Sequence, residues 1–143
     1  MTFFAKTFDE LTTLELYEIL KSRCDIFTVE QSILYQDMDD VDKSALHCFF
    51  TENERVVGYL RAYNGEGGQT KIGRVLSLEH GRGIGKMLIE KSLPIIKEHF
   101  KSNLLVLNSQ SHAIGFYEKF GFKTVSKEFL EAGIPHVKME MMI

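Results

Sequence analysis

Two hydrophobic rhythms alternate along the chain. "MTFFAKTF" opens it as a short strand. Leu11, Leu14, Tyr17, Leu20, Cys24 and Phe27 then recur at intervals of three and four, which predicts a helix with one buried stripe and puts Cys24 in the core. Residues 28–44 have no clean period and read as a loop, with or without a short helix in it. "LHCFFTE" and "VVGYLRAY" are apolar-rich strands joined by "NER", a hairpin. "NGEGGQ" is a turn cluster, and "TKIGRVLSL" a third strand of the set. A glycine-rich turn follows, then a helix from about Ile84 to Phe100, with Ile84, Leu88, Ile95 and Phe100 on one face. Pro94 inside it removes a backbone hydrogen bond, so a kink or an early end is expected. "LLVLNS" opens with a continuous apolar run, as in a strand covered on both faces. "AIGFYEKF" is a short helix closed by Gly121. "FKTVSKEFL" and "HVKMEMMI" are two strands around a turn at "EAGIP". The order β-α-β-β-β-α-β-α-β-β predicts a three-layer α/β or α+β domain with a mixed sheet.

Composition narrows the class. At 143 residues, one domain spanning residues 1–143 is expected, long enough to bury a core without staples. A formal charge of −3 argues against a protein that neutralises a nucleic-acid backbone. No run of about 18 apolar residues is present to span a membrane, and the start lacks the pattern of a signal peptide. Cys24 and Cys48 make no disulfide framework and read as free thiols of a reducing, cytoplasmic compartment.

The stretch "SLEHGRGIGKMLIE" changes the picture most. Gly81, Gly83 and Gly85 stand two apart at the mouth of a helix, where each glycine costs about 1 kcal/mol relative to alanine. The spacing fails the dinucleotide fingerprint, because Lys86 or Leu88 falls where the third glycine belongs. It also fails the nucleotide P-loop: His80 stands five before Gly85, and Met87 follows Lys86. What survives is a strand, a tight glycine turn and a helix N-terminus, a place for an anion, with Arg82 and Lys86 adding positive charge. Close packing alone is the bland alternative.

"DMDDVD" invites a metal. Counted from Asp37, an EF-hand loop would need Gly at Asp42 and Glu at Cys48, so calcium is rejected. Neither cysteine has metal-ligand spacing to a histidine, and no metal is expected. The acidic loop is then either a solvated face or an electronegative wall that attracts a cationic substrate.

His80-Gly81-Arg82-Gly83-Ile84-Gly85 resembles the signature of the GNAT superfamily of acyl-CoA N-acyltransferases, apart from His80 at its first position. "NSQSHAIGFYEKFGF" is similar to that family's fifth strand and following helix, and the order of elements matches across nearly the whole chain. "RCDIFTVEQSILYQDMDDVD", His47 and "AGIPHVKM" resemble its ElaA-like branch. The resemblance implies a mixed, mostly antiparallel sheet of about seven strands, flanked by helices on both faces. It implies acetyl-CoA as co-substrate and transfer of its acetyl group to a primary amine of a small molecule or peptide, by direct attack. Val75, Leu76, Ser77, Leu78, His80, Gly81, Arg82, Gly83, Ile84, Gly85, Lys86, Asn108, Phe116 and Tyr117 are the coenzyme-binding positions it implies.

Three chemical tasks follow. The resemblance implies Tyr117 as the general acid for the leaving thiolate, which suits a tyrosine of pKa ~10 that keeps its proton at neutral pH; a hydroxyl that only hydrogen-bonds at the edge of the core is the alternative. A backbone N–H near Leu76 or Leu78 is the donor to the oxyanion, if the strand end splays. The base stays open. Arg74 stands on the strand that carries a glutamate in many relatives, leaving Glu30, His47, Glu79 and His136, directly or through water. A lone histidine such as His47 is more often a hydrogen-bonded structural residue than a catalyst. The partners are acetyl-CoA and an amine, with a homodimer compatible and neither nucleic acid nor membrane involved. The rival functions are a coenzyme A-binding sensor with little catalysis and a plain interaction domain.

Overall fold

The computed structural model describes residues 1–143. Its strands are β1 (Thr2–Thr7), β2 (Leu46–Glu52), β3 (Arg55–Asn64), β4 (Thr70–Ser77), β5 (Leu104–Gln110), β6 (Lys123–Thr124), β7 (Phe129–Glu131) and β8 (Ile134–Met142). The helices are α1 (Thr13–Arg23), α2 (Ile84–Phe100) and α3 (Ile114–Glu118). The eight strands form one sheet in the order β1-β2-β3-β4-β5-β8-β6, with β7 also on β8. Every pairing is antiparallel except β4 with β5. The eighth strand arises because "FKTVSKEFL" divides into β6 and β7.

One face of the sheet carries α2 and α3. Ile84, Leu88, Ile89 and Ile96 pack there with Cys48, Leu60, Leu105 and Phe122. The other face carries α1, with Ile19 and Ile26 against Phe49, Tyr59 and Leu76. Neighbours such as Tyr59 and Leu60 fall on opposite faces, so β3 is covered on both sides. Thr12 starts α1 through a capping box: its hydroxyl accepts from the Glu15 N–H at 3.0 Å, and Glu15 accepts from the Thr12 N–H at 2.8 Å.

Two predicted helix faces need correction. Leu14 and Tyr17 are exposed, and so is Cys24; the buried face of the first helix is Ile19, Ser22, Arg23 and then Ile26. Polar anchors set that face, beginning with the Ser22 hydroxyl, which donates to the Val56 carbonyl at 2.6 Å. Beyond Arg23 the chain continues as a π-helical turn, Cys24–Glu30, whose wider winding changes the phase. In α2, Ile96 is buried and Ile95 is exposed. The helix does not end at Pro94; it runs on to Phe100.

Candidate functional site

The sheet opens where β4 and β5 part. Their parallel ladder joins only Thr70–Ile72 to Leu105–Leu107. Just past it β4 carries a bulge: Arg61 pairs with Gly73 but Tyr59 with Leu76, and Arg74 takes a left-handed φ of 53°. From Gly73 to Ser77 the β5-facing edge of β4 has no partner strand. The Leu78 N–H donates to the Val57 carbonyl at 2.9 Å. Peptide groups alternate along a strand, so Leu76 also faces β3 while Ser77 turns to the gap. The amides of Leu76 and Leu78 are thus committed to the sheet. The gap broadens into a cleft of about 560 Å³ whose walls include Val75, Ser77, Asn108 and Tyr117.

The glycine turn lies at one end of this opening. Gly81 and Gly83 adopt φ of +87° and +73°, and at either one a Cβ would meet nothing within 4 Å. Their conformation, not crowding, calls for glycine there. Gly83 is the N-cap of α2, whose first turn has neither an acidic residue nor a side-chain cap. Its leading N–H groups are therefore left for an outside acceptor. Ile84 is buried and offers backbone alone, whereas a Cβ on Gly85 would rest against Phe116 at 3.5 Å. Lys86 is largely exposed, 3.9 Å from Glu90. Arg82 is engaged rather than free: its guanidinium meets Glu52 at 3.0 and 3.1 Å and Glu79 at 2.7 Å. Hydrogen bonds to Glu52 and Glu79 push its pKa up. His80 Nε2 stands 3.3 Å from Glu30 Oε1.

Tyr117 lines the cleft from α3 at 8% exposure. Burial alone pushes its hydroxyl pKa up, with no charge or hydrogen bond contributing. Phe116 and Phe122 hold the ring edge-on at 5.1 and 6.0 Å. Asn108 donates through Nδ2 to Glu131 Oε1 at 2.9 Å.

The four base candidates separate. His47 is 1% exposed and off the cleft wall. Its Nε2–H donates to the Asp42 carbonyl at 2.8 Å and its Nδ1 accepts from the Tyr59 hydroxyl at 2.6 Å, so neither nitrogen is open to a substrate. Burial keeps its pKa low. His47 is a pillar beneath the site, not a base. Glu79 is spent on Arg82. Glu30 and His136 both line the cleft. His136 Nε2 lies 3.4 Å from Glu131 Oε2, and Glu131 is a cleft residue that no sequence motif singled out.

The acidic loop is neither solvated nor a bare negative wall. Asp37 accepts from Arg23 Nε and Arg74 Nε, each at 2.8 Å. Asp39 takes Arg61 in a two-toothed grip at 2.7 Å per bond. Asp42 bridges Arg23 at 2.7 Å and Arg61 at 3.0 Å. Arg23 and Arg61 have side chains 0% and 2% exposed. Asp40 stays outside, near Lys43. This lattice fixes the segment that carries Ile33, Tyr35, Gln36 and Asp37, all of which line the cleft. The pairing itself was not visible in the sequence, because the partners sit 14 to 37 positions away.

Comparison with known proteins gives this architecture its relatives. The acetyltransferase (GNAT) domain family matches residues 20–143. Protein ElaA of Escherichia coli is 35% identical over 136 residues, covering 91% of this chain and 89% of its own. The crystal structure of E. coli ElaA superposes with a TM-score of 0.91 at 32% identity, over 98% of both chains. An acyl-CoA N-acyltransferase from Pseudomonas aeruginosa does so with a TM-score of 0.92 at 32% identity, over 99% of both. A split β4–β5 pair, an uncapped helix behind paired left-handed glycines and these similarities lead to one conclusion: the chain belongs to the GNAT family of acyl-CoA N-acyltransferases, alongside ElaA.

Proposed function

We propose that residues 1–143 form one catalytic domain that moves the acetyl group of acetyl-CoA to a primary amine of a small molecule or peptide. The observation that carries this reading is the unpaired edge of β4 facing a buried, partnerless tyrosine hydroxyl across one cleft. That edge can pair with the amide-bearing arm of coenzyme A as a sheet pairs with an added strand. The free N–H groups of α2 suit its pyrophosphate, with Lys86 beside them. The Ser77 N–H, rather than that of Leu76 or Leu78, faces the gap where an oxyanion needs a donor. Tyr117 keeps its proton at neutral pH and lends it to the departing sulfur.

Calorimetric titration with acetyl-CoA, with NADH and ATP as controls, tests this. Selective micromolar binding is the expected result. Gly83→Asn should weaken it at least tenfold without unfolding the protein, because asparagine tolerates the left-handed backbone while its side chain fills the open space. Unchanged affinity would refute the role given to the glycine turn. A sensor with little catalysis is the second reading, favoured by Arg82 being tied to two carboxylates. Release of coenzyme A thiol in the presence of amines decides between the two.

A further inference from the structure

We infer that Glu131 and His136 form an ammonium site: Glu131 holds the acceptor amine as a cation, and His136 removes its proton. The inference rests on the acetyltransferase reading and names the acceptor class, an alkylamine that arrives protonated.

The geometry begins at the β7–β8 hairpin, whose turn residues Ala132 and Gly133 both have positive φ. The turn sets Glu131 opposite Ile134 and Phe129 opposite His136. His136 Nδ1 lies 2.7 Å from the Ile134 carbonyl. A carbonyl can only accept, so Nδ1 carries a hydrogen, and in the neutral ring Nε2 holds the lone pair. That lone pair looks toward Glu131 Oε2 at 3.4 Å, beyond ordinary hydrogen-bond length. Two acceptors thus converge on one point with no donor between them. An alkylammonium, with three N–H groups, supplies a donor to each.

Both acceptors are held in place. Glu131 Oε1 is fixed by Asn108 Nδ2 at 2.9 Å, which aims Oε2 at the ring. The imidazole stacks on Phe129 at 6.2 Å and 23°. From β5, Gln110 faces it in register; the Gln110 side chain ties to Gln31 at 3.0 Å and to His112 at 2.7 Å. His136 is 6% exposed and lines the same cleft as Tyr117 and Ser77. Glu30 and His80 also face each other, but the His80 side chain is 75% exposed where that of His136 is 8% exposed, so water competes for any cation there.

The proton count closes. The ammonium gives one proton to His136 Nε2, and the freed lone pair attacks the thioester carbonyl carbon. A C–N bond forms and the C–S bond breaks. Tyr117 protonates the sulfur and regains a proton from the newly acylated nitrogen, while the proton on His136 passes to water. Asn108 is a positioning residue, acting through Glu131.

Two probes that differ in charge test the site. Propylamine is almost wholly protonated at pH 7, whereas hydroxylamine is almost wholly neutral. With acetyl-CoA saturating and thiol release as the readout, His136→Gln should lower kcat for propylamine at least a hundredfold and change hydroxylamine transfer less than threefold. Glu131→Gln should raise KM for propylamine about tenfold and leave that for hydroxylamine unchanged. Its side chain is half-exposed, so this variant should fold even if the histidine variant does not. Equal losses with both probes, or no loss with either, overturn the site. So does wild-type protein that binds acetyl-CoA but transfers to neither probe, an outcome that leaves coenzyme binding intact. Failure to bind acetyl-CoA at all overturns the acetyltransferase reading itself.

Discussion

Tyr59 and Tyr117 are both buried tyrosines with hydroxyls pushed above their ordinary pKa, yet their neighbours give them different work. The Tyr59 hydroxyl is spent on His47, at 2.6 Å. That of Tyr117 meets no protein partner and opens on the cleft. Removing each hydroxyl should therefore have opposite effects. Tyr59→Phe strands a buried imidazole nitrogen and should cost about 1–3 kcal/mol in urea unfolding. Tyr117→Phe should leave stability and acetyl-CoA affinity nearly unchanged while acetyl transfer falls at least tenfold; unchanged turnover would remove Tyr117 from the chemistry. "FYEKFGF" made Tyr117 legible, because its resemblance to the family is local. A structural role for His47 was legible, but its partners were not. Its two partners come from a loop and a neighbouring strand, and nothing around position 47 announces them.

Among the elements, strands and starts were easier to read than buried faces. The hairpin at "NER" follows from Asn53 and Glu54 taking positive φ in a two-residue turn. The face of the first helix could not be read from its apolar stripe, because Ser22 and Arg23 are pulled inward by Val56, Asp37 and Asp42. Apolar spacing carries no information about such anchors. Asp42 is the element-scale keystone, since it neutralises Arg23 and Arg61 together. Asp42→Asn leaves two buried guanidinium groups short of charge and should cost about 3 kcal/mol, lowering Tm by roughly 10 °C in a thermal melt. A change under 2 °C would mean that the wall stands without its ion pairs.

At the scale of the molecule, the same lattice makes stability depend on pH. Hydrogen bonding to Arg61 holds the Asp39 carboxyl at about 2, against an ordinary 3.8. Burial pushes the Asp42 carboxyl up, but Arg23 and Arg61 outweigh it and hold it low. A carboxyl depressed in the folded state stabilises above its unfolded pKa, and that contribution fades as pH falls through the folded value. Burial lowers the His47 pKa, and its contribution fades in the same direction from near pH 6. Unfolding free energy should thus decline gently below pH 6 and steeply between about pH 4 and pH 2. Asp39 alone should account for on the order of 1 kcal/mol, reduced from its full shift by its partial exposure. Urea titrations of wild type and Asp39→Asn across that range check this; identical slopes would count against it.

The sequence alone determined what local chemistry controls: the order of elements, the capped start of α1, the hairpin turn and the left-handed glycines before α2. Those depend on a few adjacent residues and their backbone preferences. Tertiary structure decided the rest. The β4 bulge, the parting from β5 and the arginines that neutralise the acidic loop all depend on register between strands. Register is a property of pairs of segments, and no single stretch of chain contains it.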